Sequence, residues 1–233
     1  VLPYGIMGAI WYQGCSNANR AYQYRALLST MIQDWREKFQ TGDFPFIIVQ
    51  LAAFQPVHPE PRDSDWAEIR ESQAYVSATV PNTGLAVSID IGDAGDIHPK
   101  NKRDVGKRLA YWALANTYGK REMPFSGPVY KSSSVIDGAI RLTFDHDCGG
   151  LKAQSADGVL TGFAIAGEDK KFVWAKAVIQ DGTVLVYSPN VSNPVAVRYA
   201  WDINPVCNLF NGAGLPAVPF RTDDWPMITR DNK

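Results

Sequence analysis

Between Gly8 and Gly119 the apolar residues switch repeatedly between two spacings, and that alternation limits the possible folds more than any other property of the chain. A first apolar run, residues 8–12, stops abruptly at the small and amide residues Gln13-Gly14-Cys15-Ser16-Asn17. Tyr24, Leu27, Leu28, Met31, Ile32, Trp35 and Phe39 then recur at intervals of three and four, the stripe of an amphipathic helix. Residues 44–51 form a continuous apolar run, which predicts a strand covered on both faces. Asp65 and Glu68 give a capping-box-like start to a second helix, on which Trp66, Ile69, Gln73 and Val76 share a face. Residues 84–90 read as another buried strand. Val105, Leu109, Trp112 and Ala113 mark a third helix, stopped at Gly119 by the left-handed residue that commonly ends one. Strict alternation of strand and helix implies parallel strands, right-handed crossovers and a layered α/β sheet.

Such sheets bind ligands beyond the carboxyl ends of their strands. The three loops leaving these strands carry residues 13–17, 50–54 and 90–98, so the topology predicts one crevice among them. Beyond Met123 the helical period vanishes. Ile140, Leu142 and Phe144 alternate with polar neighbours, as do Phe172 and Trp174, then Val184 and Val186, between clusters of Gly, Asp, Asn and Pro. Short antiparallel strands follow from that pattern, and a small β-sandwich-like domain is expected over residues 126–208. The expected division is an α/β domain over 1–122 and a β domain over 123–233, with a tail holding Leu215, Phe220 and Trp225 that packs back.

Composition narrows the partners. The net charge of -1 leaves no electrostatic footprint for nucleic acid or an anionic membrane, so a small neutral substrate fits better. No apolar run approaches the roughly 20 residues that span a bilayer. Cys15, Cys148 and Cys207 are too few and too irregular for a disulfide framework or a zinc site, leaving either a Cys148–Cys207 bridge or buried free thiols.

The chemistry concentrates in Asp90-Ile91-Gly92-Asp93-Ala94-Gly95-Asp96-Ile97-His98-Pro99, where a strand runs into a loop with three carboxylates and one of the chain's three histidines. A carboxylate beside an imidazole fixes its tautomer and stabilises the imidazolium formed when the ring takes a proton from a nucleophile. The loop reads equally as the start of the helix near Lys100, with Asp96 as its cap. At the first strand end, the Gln13 amide and the Gly14 N–H are donors suited to an oxyanion. His146, between Asp145 and Asp147, has flanking carboxylates that would point to opposite faces, so no metal is assigned. His58 lies in a Pro-rich loop that could overhang the crevice.

Together "GAIWYQGCSNA", "DIGDAGDIHPKNK" and the later Leu215-Pro216-Ala217-Val218-Pro219-Phe220-Arg221-Thr222-Asp223 resemble the sialate O-acetylesterase family of the SGNH-hydrolase superfamily. The resemblance implies a three-layer, SGNH/flavodoxin-like sheet and a cofactor-free Ser-His-Asp esterase that removes acetyl groups from sugars. Members carry the nucleophilic Ser in a Gly-x-Ser-type block well upstream of "WYQG". Only ten residues precede Trp11 here, so the resemblance also implies an N-terminally truncated sheet and a Ser supplied by a segment outside these 233 residues. His98 takes the base role, and Asp96, two residues before it, is favoured over Asp93 as the orienting acid. Gln13 takes the oxyanion role; Asn17, Arg70 and Gln73, the last two in "WAEIRESQ", become candidate substrate contacts. Cys15 stands where many relatives have Glu, and is read as a small buried filler in preference to a thiol nucleophile. An acetylxylan or other glycan deacetylase, or a non-catalytic carbohydrate-binding protein, are the competing functions. Relatives acting on glycans are often exported, so a secreted or periplasmic location is the corresponding expectation.

Overall fold

The computed structural model describes residue 2 and residues 4–232. Its first half is β1 (Ala9–Trp11), α1 (Ala21–Phe39), β2 (Phe46–Val49), α2 (Asp65–Thr79), β3 (Thr83–Ala86) and α3 (Lys102–Asn116). The strands form a parallel sheet in the order β1-β2-β3, with Ile10 opposite Ile47 and Ile48 opposite Leu85. All four residues of β2 are buried, as its unbroken apolar run requires. Phe46 and Ile48 pack with Leu28 and Ile32 of α1 and Ile69 and Val76 of α2. Ile47 and Val49 pack on the opposite face with Val105, Leu109 and Trp112 of α3. Gly84 allows that closeness, because a Cβ there would run into the Trp112 ring. β1 pairs with β2 alone among the described residues, and its Ile10 is 68% exposed.

Local signals were displaced by one to five residues, the α3 cap lying at Asn101 and not at Asp96. Ser64, not Asp65, caps α2, its Oγ accepting the Ala67 N–H at 3.3 Å. Asn101 caps α3, accepting the Asp104 N–H at 3.1 Å. The α3 helix ends at Asn116, and Gly119 takes its left-handed conformation three residues later.

The second half contains β4 (Val129–Ile136), β5 (Ala139–Asp145), β6 (Leu151–Ala153), β7 (Phe163–Ala166), β8 (Val173–Trp174), β9 (Lys176–Gln180), β10 (Thr183–Tyr187), β11 (Ala196–Tyr199), β12 (Leu209–Asn211) and β13 (Phe220–Arg221). Two antiparallel sheets, β4-β5-β10-β9 and β13-β11-β7-β8, are joined by a two-stranded β12-β6 ladder. Ile140, Leu142, Val184 and Val186 from one sheet share a core with Phe163, Ile165, Val197 and Tyr199 from the other. Val87 and Ile89, which follow β3, belong to the same core. The halves are therefore packed together directly behind the β3 loop.

The C-terminal tail returns to α2. Buried Glu68 accepts the Ile228 N–H at 2.7 Å, the Thr229 N–H at 3.1 Å and the Thr229 hydroxyl at 2.6 Å. Arg221 pairs with Glu71 at 2.7 Å and with Asp223 at 3.2 Å. The Phe220-Arg221-Thr222-Asp223 stretch is thus a strap onto α2. All three cysteines are free, and Cys148 is exposed rather than buried.

Candidate active site

At the end of β1 the chain turns through Gly14, whose φ of 140° is open to glycine and strained for other residues. A short 3-10 helix, Cys15–Arg20, follows. Gln13 is held from both sides: its Oε1 accepts the Tyr24 hydroxyl at 2.9 Å and its Nε2 donates to Asn17 Oδ1 at 2.8 Å. A primary amide carries two hydrogens on nitrogen, so one remains for another acceptor. Asn17 serves here as the group that aims Gln13.

The β3 loop is built from two side-chain turns of the kind Asp favours. Asp93 Oδ1 accepts the Gly95 N–H at 2.9 Å, and Asp96 Oδ1 accepts the His98 N–H at 2.8 Å. The same Asp96 oxygen lies 3.3 Å from His98 Nδ1. The His98 backbone N–H is the main influence holding the Asp96 carboxyl below its ordinary value. Asp96 is free for this task because Asn101 caps α3. Asp93 lies 3.7 Å from Lys100 instead, and Asp90 is a structural ion pair, both oxygens bound to Arg108 at 2.6 and 2.7 Å. Gly92 lets this loop lie against the loop after β2, since a Cβ would collide with the Ala53 backbone.

Gln13 and His98 line one cleft of about 330 Å³, together with Tyr12, Cys15, Ser16, Ile97, Pro99 and Lys102. The loops after β1 and β3 thus meet. His98 is 84% exposed on its side chain, so the cleft is open around the ring. Ser16, the serine nearest in sequence to Gln13, was not singled out by sequence reasoning; its place in a strand-end loop was the available signal. Burial pushes the Cys15 thiol up, which keeps it protonated at neutral pH and a poor nucleophile.

Arg70 and Gln73 do not line the cleft, and the expectation that they touch substrate is corrected. Arg70 is fully buried, its Nε donating to Leu51 O at 2.7 Å and its Nη2 to Ala52 O and Ile203 O, each at 2.8 Å. Nη1 completes the set on Asp202 O. Desolvation draws the guanidinium down to about 9. Gln73, also fully buried, donates to Gln13 O at 3.0 Å and accepts the Leu51 N–H at 3.0 Å. Both residues spend their polar groups on the backbone of the site's loops, which holds the ends of β1 and β2 in place. His146 sits at a left-handed turn, its ring on Phe125 at 5.1 Å. Among the described residues no three His, Cys, Asp or Glu side chains are placed to hold a metal ion.

A parallel sheet flanked by helices, with its strand-end loops on one cleft and antiparallel sheets behind, is consistent with a carbohydrate esterase fold. Residues 3–115 match the family described as "Carbohydrate esterase, sialic acid-specific acetylesterase". The chain is 31% identical to the sialate O-acetylesterase of Mus musculus over 244 residues and 30% identical to that of Homo sapiens over 243. Each alignment covers 92% of this chain, and 44% and 45% of the respective relatives. The crystal structure of a novel carbohydrate acetylesterase from Xanthomonas citri superposes with a TM-score of 0.89 at 45% identity, over 96% of this chain and 52% of that one. The chain belongs to the sialate O-acetylesterase family, and it spans about half the length of the relatives it matches.

Proposed function

We propose that this chain forms the base and oxyanion side of an acetylesterase site that hydrolyses acetyl esters on sugars. The observation that carries the reading is the shared cleft: Gln13 and His98 face one space, and Asp96 lies against His98 Nδ1. In the proposed mechanism a Ser hydroxyl attacks the acetyl carbonyl while His98 Nε2 takes its proton, later returned to the sugar alkoxide. Asp96 keeps Nε2 facing the cleft by engaging Nδ1. The free Nε2 hydrogen of Gln13, with the Gly14 N–H, stabilises the oxyanion of the tetrahedral intermediate. The acyl-enzyme is then hydrolysed by water with His98 as base.

The nucleophile is proposed to come from a segment outside these 233 residues that docks along the open edge of β1. A strand with one unpaired edge and an exposed Ile10 is a ready template for a further strand. That position lies beside the strand that delivers Gln13. The enzyme completed by this segment should hydrolyse p-nitrophenyl acetate and O-acetylated sialate, and the 233-residue chain alone should not. Robust turnover by the chain alone, abolished by Ser16→Ala, would place the nucleophile in the cleft itself and overturn the docking account.

Two substitutions in the completed enzyme grade the roles. Gln13→Ala is expected to lower kcat about 10²-fold, since one oxyanion donor is typically worth roughly 3 kcal/mol in the transition state. An unchanged kcat with a lowered Tm would assign Gln13 to the strand end alone. Asp96→Asn is expected to lower kcat by about ten- to a hundredfold with little change in KM, and Asp93→Asn by much less. The reverse ranking would transfer the orienting role to Asp93.

A further inference from the structure

Helix α1 begins without a side-chain cap of its own. Its N-cap residue, Arg20, makes no cap hydrogen bond. The Tyr22 N–H, at the second position of the helix, is one of the groups that a capping side chain ordinarily serves. Here it is served from 207 positions away, by Thr229 Oγ1 at 3.1 Å. The hydroxyl hydrogen of Thr229 is spent on buried Glu68 at 2.6 Å, so the oxygen is left to accept, and the carboxylate behind it makes it a stronger acceptor. Asn232 adds a second bond from the same tail, its Nδ2 donating to Asn19 O at 2.7 Å.

Glu68 stands in the first turn of α2 and reaches the first turn of α1 through Thr229, so one buried carboxylate lies at two helix N-termini, where an anion is favoured. The two helices it joins are the two that hold Gln13. From α1 the Tyr24 hydroxyl donates to Gln13 Oε1 at 2.9 Å, and from α2 Gln73 Nε2 donates to Gln13 O at 3.0 Å. Ser72 links the helices directly, its Oγ donating to Ala21 O at 2.7 Å. That bond takes a carbonyl of the first turn, and the amide beside it belongs to the tail.

We infer that the C-terminal tail is a positioning device for the site: Thr229, with Glu68 behind it, fixes the first turn of α1 so that Tyr24 aims the Gln13 amide into the cleft. Neither Thr229 nor Glu68 lines the cleft, and both act through Gln13. The value of Gln13 to the reaction rests on the esterase reading above; the alignment of its amide by the tail does not.

The test follows the Gln13 amide and turnover together in the completed enzyme. Thr229→Val keeps the shape of the side chain and removes its hydroxyl, whereas Thr229→Ser keeps the hydroxyl. Misalignment can cost no more than the roughly 10²-fold that one oxyanion donor is worth, so Thr229→Val should lower kcat for p-nitrophenyl acetate about tenfold with KM little changed. Thr229→Ser should recover it. In a glutamine-selective 15N spectrum the Gln13 side-chain signals, identified by their loss in Gln13→Ala, should move with Thr229→Val and return with Thr229→Ser. On a Gln13→Ala background Thr229→Val should lower kcat by less than about twofold more, whereas a general loss of stability would give the full loss there. Glu68→Gln keeps the size and removes the charge; it should move kcat and the Gln13 signals in the same direction, and it decides the matter if Thr229→Val does not fold. The proposal is overturned by Gln13 signals that stay in place in both variants, by an unchanged kcat where Gln13→Ala itself is slow, or by an undiminished loss on the Gln13→Ala background. Gln13 signals that move as expected while Gln13→Ala leaves kcat unchanged would retain the tail as the positioning device and remove Gln13 from the esterase chemistry.

Discussion

His98→Ala in the completed enzyme is expected to lower kcat about 10³- to 10⁴-fold, the largest kinetic effect of any substitution in the cleft. The size follows from the role: a positioned base contributes roughly 10²–10⁴-fold by proton transfer, and here the same ring must also protonate the departing sugar oxygen. The substitution should be almost silent in stability. The His98 side chain is 84% exposed, and its backbone N–H, which holds the Asp96 turn, is untouched by the change. A large loss of kcat with an unchanged Tm is therefore the expected pair of results. A loss of only a few fold would remove His98 from the chemistry, because nothing in its packing could mask a larger role.

Arg70→Leu should do the opposite, destabilising the fold while removing no group from the cleft. The guanidinium satisfies the carbonyls of Leu51, Ala52, Asp202 and Ile203; leucine would leave those of Leu51 and Asp202 without a donor, while Ala52 O keeps the Trp66 Nε1–H and Ile203 O the Phe54 N–H. Each buried group left unsatisfied costs about 1–3 kcal/mol, so the two together cost about 4 kcal/mol. For a chain of this size that corresponds to a fall in Tm of roughly 10 °C or more. Arg70→Lys should recover little, since one ammonium cannot reproduce a fork that donates in several directions at once. A fall of under about 3 °C for Arg70→Leu, measured by calorimetry, would show that water replaces the lost donors.

What could be read beforehand follows the range of the interactions. The helices and the doubly covered β2 are set by local period, and Tyr24, Leu28, Ile32, Phe46 and Ile48 lie where their spacing puts them. The meeting of Asp96 with His98 was legible because the residues are two apart, within reach of a single turn. Arg70 and Gln73 were misread for a physical reason. A polar residue on a helix is ordinarily solvated, and the carbonyls that draw these two inward lie in irregular loops that carry no periodic signal. The same holds for His58 and Asp202, 144 positions apart, whose pairing depends on how the β sheets pack behind the β3 loop. The continuous apolar strand β7 gave no alternation to detect, because both of its faces are covered.

The bonds that α2 makes to the site's loops end on backbone carbonyls and amides, and this bears on how such a protein can change over time. A contact between two side chains ties two positions, so either substitution breaks it unless the other follows. A contact from a side chain to the main chain ties one, because every residue type offers the same carbonyl. Arg70 and Gln73 thus carry the specification alone, while Leu51, Ala52, Asp202 and Ile203 can vary without loosening their half of the bond. Loops anchored in this way are free to exchange the side chains that face a ligand while the strand ends beneath them stay fixed. Substrate preference can then drift without a matching set of repairs in the core.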